Sequence, residues 1–302
     1  MSLDGVWKLS CLARDIKEVP INIPGDIHYA LQEAKIIPDP FYATNEELIQ
    51  WVSEVEWAIE HDYEVQNLSN YSSHVLVLEL VDCFTTVYIN DQEAFNTTST
   101  FKFYRNDIHK FLKEGKNTIK VVFHNARKEA AKRFYQRLPN YYSYSENNRF
   151  PFMNYIRKPQ FQAGWDWGPC IVNMGIYAPV KLIPIPKNGY DLVEISTEQL
   201  YEDNDEITLS VDVDVHNYHA TDAPVQLKVK FDNEEKEVTI PKNEPGEHRY
   251  NVKFSTKGKE KWTVHEYGKP ILYPLTATLC GQSITKKIGV RKLIVDCHDD
   301  EY

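Results

Sequence analysis

The sequence predicts an all-β protein made of two successive β-sandwich domains. Three observations predict it. Apolar and polar residues alternate through most of the chain, helical spacing is confined to a few short stretches, and a Pro/Gly-dense segment from Pro184 to Gly189 separates two sets of alternating runs. A period of two places every second side chain on one face of a strand, so each run can bury one face against a core. At 302 residues the chain suits two domains of roughly 100–200 residues each.

Taken in order, the first element is a short helix. Asp26 in Pro24-Gly25-Asp26 serves as N-cap, Ile27, Ala30, Leu31 and Ala34 follow at helical spacing, and Pro38 and Pro40 end it. A second helical stretch is expected over Asn45–Val55, with Leu48, Val52 and Val55 on one stripe. Strands then take over. Trp57, Ile59, Tyr63 and Val65 alternate with Ala58, Glu60, Asp62 and Glu64, with His61 as the exception on the apolar side. His74–Val81 is a nearly continuous apolar run, Phe84–Ile89 leads into an Asn90-Asp91 turn, and Ile119, Val121 and Phe123 follow a Gly115-Lys116-Asn117 turn. Arg127–Arg137 has helical character, and Leu138–Phe150, rich in Asn, Tyr and Ser, is expected to be a long exposed loop.

Pro184 to Gly189 reads as the linker. Beyond it, Ile207–Val215, Val225–Phe231, Tyr250–Phe254 and Leu275–Leu279 alternate, Asp232-Asn233 reverses the chain, and Ile288–Asp296 is a last apolar, strand-like run. Strands separated by turns, with no helix between them, predict an immunoglobulin-like sandwich, although no Cys…Trp…Cys spacing of the antibody type is present.

Composition narrows the function classes. Lys and Arg number 34 against 44 Asp and Glu, a net charge of −10, and no basic cluster offers a footprint for phosphate backbones, so nucleic acid is not an expected partner. Cys11, Cys83, Cys170, Cys280 and Cys297 are scattered, odd in number and free of CxxC pairs; reduced thiols are expected, without a disulfide framework or a zinc site. No window approaches the roughly 20 apolar residues of a membrane span, and the N-terminus lacks the basic and apolar regions of a signal peptide. A cytoplasmic chain with no membrane association, cofactor or metal is therefore expected. The sequons at Asn67, Asn70 and Asn96 carry weight only in a secreted protein.

The segment richest in chemistry is Arg157-Lys158, followed by Gly164-Trp165-Asp166-Trp167-Gly168-Pro169. An indole can cover the C–H face of a sugar while a carboxylate and a cation serve its hydroxyls. The same residue types equally suit a turn that plugs a sandwich core, with Asp166 as a cap and Arg157 as its ion partner.

This segment resembles the N-terminal domain of family 2 glycoside hydrolases of β-mannosidase type. The likeness is carried by Ile156-Arg157-Lys158, Gln160, Gly164–Pro169 and Met174-Gly175-Ile176-Tyr177. It extends to Leu3-Asp4-Gly5-Val6-Trp7, Pro24–His28, Ile37–Tyr42, Asn45-Glu46, Trp51 and Trp57, and in the second domain to Trp262, Tyr267–Leu275 and Ile288–Arg291. The resemblance implies an all-β arrangement of a jelly-roll, galactose-binding-like sandwich over 1–186 and an immunoglobulin-like sandwich over 187–297, with 298–302 opening onto a (β/α)8 barrel. That barrel would hold the two glutamates of a retaining mechanism, so no catalytic residue is expected here. Of the Asn-Glu pairs that echo the family's acid/base, Asn45-Glu46 matches a non-catalytic pattern, and Asn233-Glu234 and Asn243-Glu244 are charged turns. The implied partners are a β-mannoside oligosaccharide and the barrel. Trp165 and Asp166 would face the terminal mannose, Trp167 would pack, and Arg157 and Lys158 would orient Asp166 or its loop. Cys170 departs from the basic or polar residue pictured there. Alternatives are the same region of an exo-β-glucosaminidase, β-galactosidase or β-glucuronidase, or a free-standing carbohydrate-binding protein.

Overall fold

The computed structural model describes residues 1–137, 139, 149–201 and 206–293. Most of the Leu138–Phe150 loop, Cys297, residues 298–302 and the end of the Ile288–Asp296 run lie outside the described residues. The chain divides into two compact units, Met1–Pro184 and Ile185–Tyr302.

The first unit contains β1 (Gly5–Cys11), β2 (Val19–Ile23), β3 (Gly25–Asp26), β4 (Trp57–Val65), β5 (Tyr71–Leu78), β6 (Val81–Asp82), β7 (Phe84–Ile89), β8 (Gln92–Thr98), β9 (Tyr104–Asp107), β10 (Gly115–Phe123), β11 (Gly175–Ile176) and β12 (Lys181–Pro186). Its helices are α1 (Ile27–Glu33), α2 (Asn45–Leu48) and α3 (Ala126–Gln136). A six-stranded sheet, β2-β1-β4-β10-β7-β8, accompanies two three-stranded sheets, β3-β11-β6 and β12-β5-β9. The alternation in β4 and β10 is realised as pairing from Gly115 opposite Val65 to Phe123 opposite Trp57, with Ile59, Ile119, Val121 and Phe123 fully buried. Trp7 and Trp57 sit in the same core, their indole N–H groups donating to the carbonyls of Leu3 and Val52 at 2.9 and 2.8 Å. That satisfies the one polar atom each ring carries into the interior.

The Asp26 cap forms as expected: its carboxylate accepts from the amides of His28 and Tyr29 at 2.8 and 3.3 Å. It also accepts from Tyr177 and Asn173. Burial opposes ionisation of Asp26, but the hydrogen bond and charge of His28, with the bonds from Asn173 and Tyr177, outweigh it and hold the carboxyl below the usual range. Gly175 pairs with both Asp26 and Asp82 in the small sheet, where a Cβ would collide with the Gly25 carbonyl. The continuous helix expected over Asn45–Val55 is instead α2 followed by a 3-10 segment, Gln50–Glu54. The stripe does not close: Val52 is buried, but Leu48 is 63% exposed.

In β5, His74 is buried, with its Nδ1 at 2.9 Å from Nδ1 of His109 and its amide donating to Asp107. Burial, and then the neighbouring His109 charge, push His74 down to about 4, with Asp107 partly opposing. The unfolded chain takes up this proton near pH 6.5 and the folded chain only near 4, so stability falls as pH drops through that window. The expected loss between pH 7 and pH 5 is about 2 kcal/mol. Urea melts at both pH values check it; His74→Phe should flatten the slope, and equal slopes in both proteins would contradict the assignment.

The expected linker is shorter than its composition implies. Pro184 and Pro186 belong to β12, an edge strand where a missing N–H is tolerated, and the reversal is a tight turn in which Gly189 donates to the Pro186 carbonyl at 2.8 Å.

The second unit holds β13 (Asp191–Tyr201), β14 (Ile207–Asn217), β15 (Val225–Phe231), β16 (Glu234–Ile240), β17 (Gly246–Ser255), β18 (Tyr273–Leu279) and β19 (Gln282–Ile288). They form the sheets β13-β14-β17 and β16-β15-β18-β19, an all-β sandwich of immunoglobulin-like character. Alternation is clearest in β14, whose Leu209, Val211 and Val213 are fully buried against Phe231 and Phe254. The run expected over Ile288–Asp296 is not a strand over 289–293: β19 ends at Ile288, and the Val290 carbonyl accepts from the Trp262 amide.

Candidate functional site

The Trp-rich segment forms a tight turn. Gly164 has φ 101°, which a side chain would resist, and the Gly168 amide donates to the Trp165 carbonyl at 3.2 Å. The turn therefore projects its three central side chains outward. Trp165 is 46% and Trp167 87% exposed, and Asp166 is also exposed. They border a groove of about 540 Å³ together with Phe41, Glu46 and Arg149. Asp166 makes no hydrogen bond or ion pair with any described residue, so its carboxylate is available to a ligand in the groove.

The opposite side of the groove comes from the turn before α2. Asp39 accepts from the Phe41 amide at 3.0 Å, and Asn45 donates to the Asp39 carbonyl, which leaves Phe41 exposed. Glu46, mostly covered, pairs with Arg149 at 2.7 Å. Gln50 ties the two sides, its amide donating to the carbonyls of Glu46 and Cys170 at 2.7 and 2.8 Å. Cys170 is buried under this bridge, and burial pushes its thiol up to about 11, so it takes no part as a nucleophile near neutral pH.

Lys158 is not beside Asp166. Its ammonium lies 2.7 Å from Asp82, both side chains fully buried, and donates to the Asn173 carbonyl at 2.6 Å. The Asp82 carboxylate also accepts from Thr100 at 2.7 Å and Gln162 at 3.0 Å. This hub fixes positions 158, 162 and 173, on both sides of the turn, to β6. Lys158 thus holds the base of the loop through Asp82. Arg157 is likewise apart from Asp166: its guanidinium lies over the Phe101 ring at 5.6 Å, and its carbonyl accepts from the Thr100 amide. The packing role expected of Trp167 does not match its exposure, because the turn directs the indole away from the core.

Glu46 and Arg149 are the groove residues that sequence reading passes over. Asn45-Glu46 enters the sequence reading as part of the family likeness and as an echo of a catalytic pair, without a role in the groove, and Arg149 stands alone at the end of a Tyr/Asn-rich stretch. The signal that could have found Glu46 is its place six residues after Pro40 in the patterned Ile37–Tyr42 run, since α2 is too short to carry it elsewhere. Among the described residues no group of three or more His, Cys, Asp or Glu is gathered as a metal site would require.

Comparison with known proteins supplies the lineage. Residues 7–178 match the family model described as glycosyl hydrolase 2 galactose-binding domain-like, and residues 192–291 match that of glycosyl hydrolases family 2. Beta-mannosidase B of Thermothelomyces thermophilus is 26% identical over 301 residues, covering 96% of this chain and 34% of the relative. Beta-mannosidase of Mus musculus is 30% identical over 187 residues, 60% of this chain and 21% of the relative. The beta-D-mannosidase structure from Dictyoglomus thermophilum superposes with TM-score 0.83 at 24% identity, covering 97% of this chain and 36% of that one. The exo-chitosanase of Amycolatopsis orientalis does so at 0.69 and 18% identity, covering 97% and 34%. The chain spans about a third of the length of the curated relatives it matches. Through both of its domains, the chain belongs to glycosyl hydrolase family 2.

Proposed function

We propose that this chain is the non-catalytic N-terminal region of a β-mannosidase-type exo-glycosidase that releases terminal β-D-mannose. Bond cleavage would belong to a (β/α)8 barrel that supplies both carboxylates of a retaining mechanism, about 5–5.5 Å apart across the glycosidic bond. The contribution of this chain is recognition at the Trp165–Gly168 turn. The observation that carries the reading is the solvent-facing Asp166, without a partner among the described residues and flanked by two exposed indoles in a groove. A carboxylate in that position accepts hydrogen bonds from sugar hydroxyls, and Trp165 covers a C–H face. Glu46 and Arg149 neutralise each other at 2.7 Å, so the groove suits an uncharged glycoside.

The test compares the full-length protein with this chain alone on aryl β-mannoside, β-glucosaminide, β-galactoside and β-glucuronide. The expected result is preferential turnover of the mannoside by the full-length protein and none by the isolated chain. Turnover by the isolated chain would overturn the non-catalytic role, and preference for another glycoside would overturn the mannoside assignment. The alternative of a free-standing carbohydrate-binding protein would show as sugar affinity of this chain in calorimetry; half a pocket leaves a sugar largely solvated and is expected to bind it barely at all.

A further inference from the structure

A second groove, of about 520 Å³, lies in the first domain where β7 and β8 approach α3. Its wall carries a chain of hydrogen bonds. Asn96 Nδ2 donates to a Glu93 carboxylate oxygen at 2.9 Å. The Thr86 hydroxyl donates to Asn96 Oδ1 at 2.7 Å and lies 2.8 Å from His124 Nε2. On the other side of the ring, His124 Nδ1 lies 2.7 Å from the Glu56 carboxylate.

The basic side chains of α3 stand beside this chain of hydrogen bonds. Lys128, Lys132 and Arg133 of α3 line the same groove, and its two acids are Glu56 and Glu129. Glu56 is engaged by His124. Glu129 is engaged closely by Arg133 at 2.9 Å and loosely by Lys132 at 3.8 Å. The Lys128 ammonium, on the exposed face of α3, has no carboxylate partner among the described residues. Three cations thus face two carboxylates that are already committed, inside a concavity lined by hydroxyl and amide groups.

We propose that this groove is a binding site for a small oxyanion, a sulfate, phosphate or carboxylate group. Lys128 is its direct donor and Lys132 a second. Charge-assisted hydrogen bonds of this kind shorten and strengthen when the donors converge in a cleft. The site is separate from the residues of the Trp165–Gly168 groove and does not depend on the mannoside reading.

The test is NMR on the isotope-labelled chain, titrated with sulfate, whose charge is constant through neutral pH, and with D-glucuronate as a carboxylate. The expected result is saturable shifts at Thr86, Asn96 and Lys128. Lys128→Gln should weaken binding at least fivefold while the spectrum away from the groove stays unchanged; Lys128 is exposed, so the variant keeps the fold. Binding of either probe at these residues supports the proposal, and the identity of the tighter one names the head group. Shifts spread over exposed lysines generally, or a Lys128→Gln variant that binds like the wild type, would each overturn it.

Discussion

Replacing Lys158 with methionine is expected to destabilise the first domain by about 3–5 kcal/mol, although the substitution changes side-chain volume little. The cost arises because the Lys158 ammonium and the Asp82 carboxylate are both fully buried at 2.7 Å. Removing the cation leaves a fully buried carboxylate with only the donors Thr100 and Gln162. For a domain of this size the loss corresponds to a fall in melting temperature of roughly 10 °C. Urea and thermal melts of the chain measure it, and Lys158→Met combined with Asp82→Asn should recover a substantial part, because the uncompensated charge is then gone. A loss below about 1 kcal/mol in the single variant would show that the pair is not buried as described. The same hub anchors Gln162 and the Asn173 carbonyl, so proteolysis near the Trp165–Gly168 turn should accelerate in the single variant more than in the double.

Asp166 gives the opposite pattern. Exposed and without a hydrogen-bond partner among the described residues, it contributes little to folding, and Asp166→Ala is expected to leave the melting temperature within about 1 °C. In the full-length protein the same change should lower kcat/KM for an aryl β-mannoside by about 30–150-fold, or 2–3 kcal/mol, through loss of a charged acceptor for substrate hydroxyls. Asp166→Asn should fall between wild type and alanine, since the amide oxygen still accepts. Steady-state kinetics beside thermal melts separate the two roles: a melting temperature that falls while kcat/KM holds would make Asp166 a structural cap and remove it from the subsite.

The structure also changes what the Arg157-Lys158 pair means. In sequence, two adjacent cations nine and eight residues before an Asp look like its electrostatic support. Adjacent residues in extended chain point to opposite sides, so one of the two was bound to face inward. Lys158 does, and it meets an acid some 76 positions earlier, at Asp82 of β6. Sequence spacing carries no information about such a partner. Arg157 faces out and lies over Phe101 instead.

Much of the strand framework was legible because burial of one face imposes a period of two; β14 shows it without interruption, β4 and β10 over part of their length. Among the strands that alternation does not mark, β16 and β19 bury little. In β16, Glu234-Glu235-Lys236-Glu237 are exposed on an edge and only Ile240 is fully buried, while β19 carries Lys286 and Lys287. These strands form because neighbours offer backbone hydrogen bonds, a tertiary cause that overrides local composition. The second helix failed for a related reason: its apolar stripe was tested against a core that receives Val52 but has no place for Leu48.

The family, the two-sandwich plan and a turn that presents Trp165 and Asp166 are written locally, in periodicity, in Gly164 and in the Trp-Asp-Trp run itself. The exposure of Trp167, the far side of the groove, the Glu46–Arg149 pair, the burial of Lys158 and the hydrogen-bond chain through His124 are not. Apart from Trp167, each joins residues distant in sequence, and only the pairing of strands determines which of the many charged and polar side chains meet.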